Sequence, residues 1–371
     1  MAKAFGVVNF AGNRIWVDGL QDYRPIGAFT FLGRYRLIDF PISNMSNSGI
    51  EHVQVYIKSQ PRSIVEHLGS GRHYNINSKR GRIHMLFSSS GKDHDLYTTD
   101  ISAYADNLEC IESLHYSHVV IAPSYMVYTQ NYDTLLQEHL DSGADITLLY
   151  HSVDNAKDYY LSCDTLNLNR QKGVESIEPN RGNAKNKNIF MDTYVMSKEL
   201  FINLIKKARK LSSLYTLVDV INTYIHDLDV RAVSHRGFFA SITEFKSFYD
   251  ANLQLIDFKT ASNLFDDEWP IYTRTNDSAP TQYSKTASIK NSVVSNGCTI
   301  DGTVENCVIG RGTVIKKGAV VRNSVILPDT FIGDNVYMEN IVMDRHAKVT
   351  RVKSVVAPAD NPGYIKRNDV M

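Results

Sequence analysis

The chain has 371 residues, 43% hydrophobic and 22% charged, a composition that gives ample core and excludes extended disorder. Forty basic residues balance forty acidic ones, so the positive excess that supplies most nucleic-acid affinity is missing, and no apolar run approaches the roughly 20 residues of a membrane span. The four cysteines (Cys110, Cys163, Cys298, Cys307) lack Cys-x-x-Cys spacing, and the N-terminus shows no secretory pattern, so a cytoplasmic chain with buried thiols is expected. Residues 5–10 then read as a buried first strand followed by a turn. In nucleotide-binding domains such a turn is rich in glycine, because a bare backbone lets successive N–H groups approach a phosphate. Here Ala11-Gly12-Asn13-Arg14-Ile15-Trp16 holds one glycine beside two bulky apolar side chains. Further strands are predicted at 52–57, 83–87, 118–122, 145–150 and 230–233. Between them Ile101, Tyr104, Ala105, Leu108, Ile111 and Leu114 share one helical face, and 132–140, 198–210 and 213–226 read as helices. This alternation predicts a mainly parallel sheet with helices on both faces and a ligand site beyond the carboxyl ends of the strands.

The last 80 or so residues change rhythm. Ile309, Ile315, Val321 and Leu327 recur every six positions, and Thr313, Ala319, Val325 and Phe331 repeat four positions after each. Such hexads predict a parallel β-helix in which each face of a triangular coil points one apolar residue inward. The polar stretches Asp266-Asp267-Glu268-Trp269-Pro270 and Asn276-Asp277-Ser278-Ala279-Pro280 read as the connection.

The run Gly33-Arg34-Tyr35-Arg36-Leu37-Ile38-Asp39-Phe40-Pro41-Ile42-Ser43-Asn44 closely resembles the glucose-1-phosphate adenylyltransferase (ADP-glucose pyrophosphorylase) family. Further matches in the family's order are His67-Leu68-Gly69-Ser70-Gly71, Tyr249-Asp250-Ala251-Asn252-Leu253, Asn291-Ser292-Val293-Val294-Ser295 and Ile326-Leu327-Pro328-Asp329. The resemblance implies an α/β fold: a Rossmann-like nucleotidyltransferase (GT-A-like) domain over 1–255, a linker over 256–285 and a left-handed parallel β-helix over 286–371. It also implies the family's chemistry, in which ATP and glucose 1-phosphate give ADP-glucose and pyrophosphate with Mg²⁺, for glycogen synthesis.

The family's functional motifs are altered. Its Gly-Gly-x-Gly-x-Arg-Leu phosphate loop falls on Ala11-Gly12-Asn13-Arg14-Ile15-Trp16-Val17, so the arginine position becomes Trp16. The Lys-Pro that closes this loop falls on Ile26-Gly27. The aspartate of Gly-Asp-x-x-Tyr, a magnesium ligand, becomes Tyr125, and that of Asp-Val-Gly-Thr becomes Ser241. The sugar-phosphate lysine of Glu-Lys-Pro becomes Glu178, subject to a one-residue shift, and the Gly-Thr-Ala stretch becomes Thr99-Asp100-Ile101. A phenol with pKa near 10 and a serine are poor ligands for Mg²⁺, which takes carboxylate and phosphate oxygens. Asp18 and Asp22, with Arg14 or Arg24, are the side chains nearby that compensation would use.

These departures resemble the D-type (GlgD-type) regulatory subunit. That resemblance implies a chain with no catalytic residue and no bound metal or cofactor of its own. It further implies a hetero-oligomer with a catalytic C-type (GlgC-type) partner that holds Mg²⁺, and a homo-oligomer is open to the isolated chain. An active enzyme with a rebuilt site is the alternative. Arg34, Arg36, Lys79 and Arg80 are candidates for a regulatory anion site, against an ion pair of Arg36 with Asp39. His139 reads as structural, and the domain order and lack of coenzyme-specific features speak against His346 as an acyltransfer base.

Overall fold

The structure is a computed structural model, and it describes residues 4–77, 79, 81–87 and 99–371. Nine strands form the first sheet: β1 (Ala4–Asn9), β2 (His52–Ile57), β3 (Arg82–Phe87), β4 (His118–Pro123), β5 (Ile146–Val153), β6 (Asp164–Leu168), β7 (Val174–Pro179), β8 (Lys187–Ser197) and β9 (Val230–Ser234). The order β3-β2-β1-β4 is parallel throughout. Every residue of β1 and β2 is buried, as helices on both faces require. Along β1 the side chains alternate: Phe5 and Val7 enter one apolar cluster, Ala4 and Val8 the other.

The other half departs from the parallel expectation. The 11-residue strand β8, absent from the sequence reading, runs antiparallel to β4 and β5. β9 lies parallel to β5, and the β6–β7 hairpin forms the far edge. The apolar face predicted over 101–114 is real but broken, as Asp100–Asp106 and Leu108–Glu112, because Asn107 leaves helical geometry at φ −112°. The predicted 213–226 helix is shorter, Leu217–Thr223, and Thr216 opens it with a capping box.

From Gln282 the chain coils through three parallel five-stranded sheets, the expected left-handed β-helix. Ile309, Ile315 and Val321 point into its core, but Ile326 takes the next inward place instead of Leu327. The cause is the corner residue: Asn323 adopts a left-handed φ of 43°, and Asn340 repeats this at 57°, so one face is a residue short. Register partners Val304, Val321, Met338 and Val355 accordingly fall 17 positions apart. Leu327 and Val325 turn the other way and pack in the cluster of the first domain. The corner asparagines form a ladder, with Asn291 Nδ2 donating to Asn306 Oδ1 at 2.7 Å and Asn306 Nδ2 to Asn323 Oδ1 at 3.2 Å.

The two units are closely joined. Gly33, at φ +66°, turns the hairpin between Thr30–Phe31 and Tyr35–Arg36 against the first coils, where a Cβ would lie 2.8 Å from the Ile309 carbonyl. Two coils further along the same edge of the β-helix, Arg24 from the altered loop forms a buried ion pair with Asp344.

Candidate functional site

Beyond the carboxyl ends of β1 and β4 lies a cavity of 240 Å³, where a parallel sheet places its ligands. β1 and the following turn supply Asn9, Phe10, Gly12, Asn13, Arg14 and Ile15, and Tyr125 and Met126 follow β4. Thr99 and Asp100 open a helix beneath, Cys163 and Asp164 begin β6, and β8 contributes Phe190, Asp192 and Tyr194. Asp192 reaches the cavity because β8 slips register between Phe190 and Tyr194 and Asp192 takes a φ of 46° there. A bulge of this kind re-aims a side chain.

Two tyrosines hold that carboxylate. Tyr125 Oη donates to Asp192 Oδ2 at 3.1 Å and Tyr194 Oη donates to Oδ1 at 2.8 Å. Arg14 is engaged by Asp164, its guanidinium donating to both carboxylate oxygens at 2.9 and 2.8 Å. Asp100 accepts from the N–H groups of Ile101 and Leu217. Each aspartate keeps an edge on the cavity, yet the surrounding protein withdraws bulk water, so desolvation governs their titration. Burial pushes Asp192 up to about 7; Asp100 and Asp164 add to the rise, and the tyrosine hydroxyls oppose it. Burial likewise raises Asp100 to about 6, and it raises Asp164 against the opposing charge of Arg14.

The structure brings some of the sequence-selected residues together and disperses the rest. Gly12, Asn13, Arg14 and Tyr125 line the cavity, and Ala11 packs just behind it. Ser241 pairs with Met126 in a short strand and accepts the Cys163 thiol at 3.3 Å. Ile26 is buried beneath the loop, filling space with apolar carbon. Trp16 is 54% exposed and does not reach the cavity. Glu178 sits exposed on the β6–β7 hairpin, where it accepts the Ser176 hydroxyl at 2.9 Å. Asp18 and Asp22 are exposed away from the cavity, and Arg24 is bound to Asp344, so none of the three compensates there.

The anion candidates do not converge. Arg34 is exposed, lying over the Tyr35 ring at 5.6 Å. The expected Arg36–Asp39 ion pair is corrected: the Arg36 backbone N–H bonds Asp39 at 2.8 Å, while its guanidinium donates to the Ser63 carbonyl. Asp39 instead accepts from His67 at 2.6 Å and Tyr74 at 2.5 Å. Lys79 is exposed, and Arg80 lies outside the described residues. His139 is buried against the Thr147 hydroxyl at 2.9 Å, and His346 is exposed on a left-handed turn.

Sequence reading missed Asp164, Asp192 and Tyr194. In Met191-Asp192-Thr193-Tyr194 two polar residues interrupt the apolar run, and nothing there marks the bulge that turns Asp192 inward. The two positions expected to hold the family's metal ligands, Tyr125 and Ser241, do not fit a Mg²⁺ ion, because a phenol and a small alcohol stand where it would take carboxylates. Among the described residues no group of three His, Cys, Asp or Glu side chains has the geometry to hold a metal.

Residues 11–257 match the nucleotidyl transferase family and residues 278–360 the GlmU-like C-terminal hexapeptide family, which defines a nucleotidyltransferase-fold protein with an appended β-helix. The chain is 30% identical over 328 residues to the glycogen biosynthesis protein GlgD of Geobacillus stearothermophilus, covering 86% of this chain and 83% of that one. It is 26% identical over 367 residues to GlgD of Bacillus subtilis strain 168, covering 98% and 96%. Against the glucose-1-phosphate adenylyltransferase of Clostridium perfringens strain 13 it is 30% identical over 311 residues, covering 82% and 78%. The chain belongs to the glucose-1-phosphate adenylyltransferase/GlgD family of glycogen biosynthesis.

Proposed function

We propose that this chain is a non-catalytic, D-type regulatory subunit of a cytoplasmic glucose-1-phosphate adenylyltransferase assembly, which raises the activity of a catalytic GlgC-type partner. The observation that carries the reading is the Tyr125–Asp192–Tyr194 cluster at the strand end where the family places a magnesium-binding aspartate. Attack of a sugar phosphate on ATP gathers negative charge, which a metal and fixed cations normally offset. Here the loop arginine position is an exposed tryptophan, the lysine position is a buried isoleucine, and the cavity's own Arg14 is neutralised by Asp164. Loss of one electrostatic stabiliser typically lowers the rate by about 10²–10³. The similarity to GlgD proteins and adenylyltransferases alike supports a hetero-oligomer. A subunit of this kind acts by contacts that favour the partner's active state.

The test is ADP-glucose formation from ATP, glucose 1-phosphate and Mg²⁺. The isolated chain should turn over at least about a hundredfold more slowly than a catalytic relative. Mixed with the C-type subunit of its own cell, it should raise that subunit's activity and co-migrate with it in native mass spectrometry. Turnover by the isolated chain equal to the relative's would instead favour the rebuilt-site reading, for which Asp100, Asp164 and Asp192 are the available carboxylates.

A further inference from the structure

We infer that the cavity at the end of β1 and β4 selects against negative charge: it takes an uncharged ligand with a planar or apolar body and hydroxyls, and Asp192 is the residue that turns phosphorylated ligands away. This deepens the regulatory reading and rests on it, since it names what the altered site still accepts. Phe10, Ile15, Met126 and Phe190 give the cavity apolar walls, and its 240 Å³ suits a small ring system. Among the described residues, the polar side chains that line it are hydroxyls, the amides of Asn9 and Asn13, the Cys163 thiol and three aspartates, with Arg14 as the cation on the wall. Asp164 already neutralises Arg14. An incoming phosphate therefore meets Asp100 and Asp192 without a free countercharge among the described lining side chains, in surroundings that weaken screening.

Asp192 is the decisive group because its position is imposed. The β8 bulge and its left-handed φ turn the carboxylate inward, and the hydroxyls of Tyr125 and Tyr194 fix both oxygens. That burial, with Asp100 and Asp164 beside it, already lifts Asp192 well above the ordinary carboxyl range shows that added negative charge is resisted there. A sugar or nucleoside hydroxyl, by contrast, donates to a carboxylate edge and adds no charge.

Adenosine and ATP make a matched pair, the same body with and without phosphates. Isothermal titration of the isolated chain at pH 8, where Asp192 is ionised, with and without Mg²⁺, should show adenosine binding at least about tenfold more tightly than ATP. Asp192→Asn keeps the size and one acceptor and should strengthen ATP binding about tenfold while moving adenosine less than about threefold. Equal affinities of wild type for the two ligands, an ATP affinity unmoved by Asp192→Asn, or no binding of adenosine would each overturn the inference. ATP binding without turnover defeats this inference alone, whereas ADP-glucose formation defeats the regulatory reading, so the two failures are distinct.

Discussion

Replacing Arg24 by methionine should lower folding stability by about 3–5 kcal/mol, because it leaves the Asp344 carboxylate buried without its countercharge. The side chains of this pair are 6% and 0% exposed, and Asp344 also accepts the Tyr364 hydroxyl at 2.7 Å and the Arg345 N–H at 2.6 Å. Those two bonds remain in the variant but carry no full positive charge onto the carboxylate. Tyr364 in turn fills the space beside Gly19 and meets the Phe245 ring edge-on at 5.5 Å, so the ion pair anchors the altered loop to the last coils. Urea unfolding measures the loss as a drop in midpoint at unchanged slope. Arg24→Met combined with Asp344→Leu should recover most of it, since a buried pair replaced by apolar side chains is often neutral. A single variant that unfolds like wild type would show that water reaches Asp344 and that the two units are held by other contacts.

That anchor also marks the limit of what the sequence reveals. Period and composition act over a few residues, and what depends on them was legible: the apolar run of β1, the His52–Ile57 strand, the helix Lys198–Leu211 and the inward hexads. The departures at Trp16, Ile26, Tyr125 and Ser241 were legible too, because neighbouring matched residues set the count. Arg24 and Asp344 are 320 positions apart, and Tyr125 and Asp192 are 67 apart. No local pattern connects such partners. β8 escaped notice because Asp192 and Thr193 interrupt its apolar run, and the bulge that hides the strand is what builds the site. The shortened coil face escaped for a similar reason. An asparagine can hold a left-handed corner, but only stacking of the coils shows which asparagines do so.

Asp192→Asn should stabilise the protein at pH 8, by roughly 2–3 kcal/mol, and the gain should vanish in acid. Burial sets the sign. Asp192 titrates near 7 in the fold against 3.8 when free, so between about pH 4 and 7 the folded chain binds the extra proton. Stability contributed by this group therefore falls as pH rises through that window and is level above it. Asparagine has no proton to lose and escapes the fall. Its amide oxygen accepts from one tyrosine, whereas the second hydroxyl loses a carboxylate acceptor at about 1 kcal/mol. The variant should accordingly be no more stable than wild type at pH 4 and should overtake it as pH rises. Other groups slope the opposite way: burial alone would raise Asp39, but bonds from His67, Tyr74 and the Arg36 N–H outweigh it and hold it low. The difference between variant and wild type removes their contribution, because Asp39 is unchanged in both. Urea midpoints at pH 4, 5, 6, 7 and 8 trace the curve, and Tyr125→Phe supplies an independent check. Without its hydroxyl, Asp192 loses one of the two bonds that favour its ionised form, so the pH at which the difference levels off should move higher. A flat difference across the range would mean that Asp192 is solvated and ionised throughout, and the cavity would then be no drier than the surface.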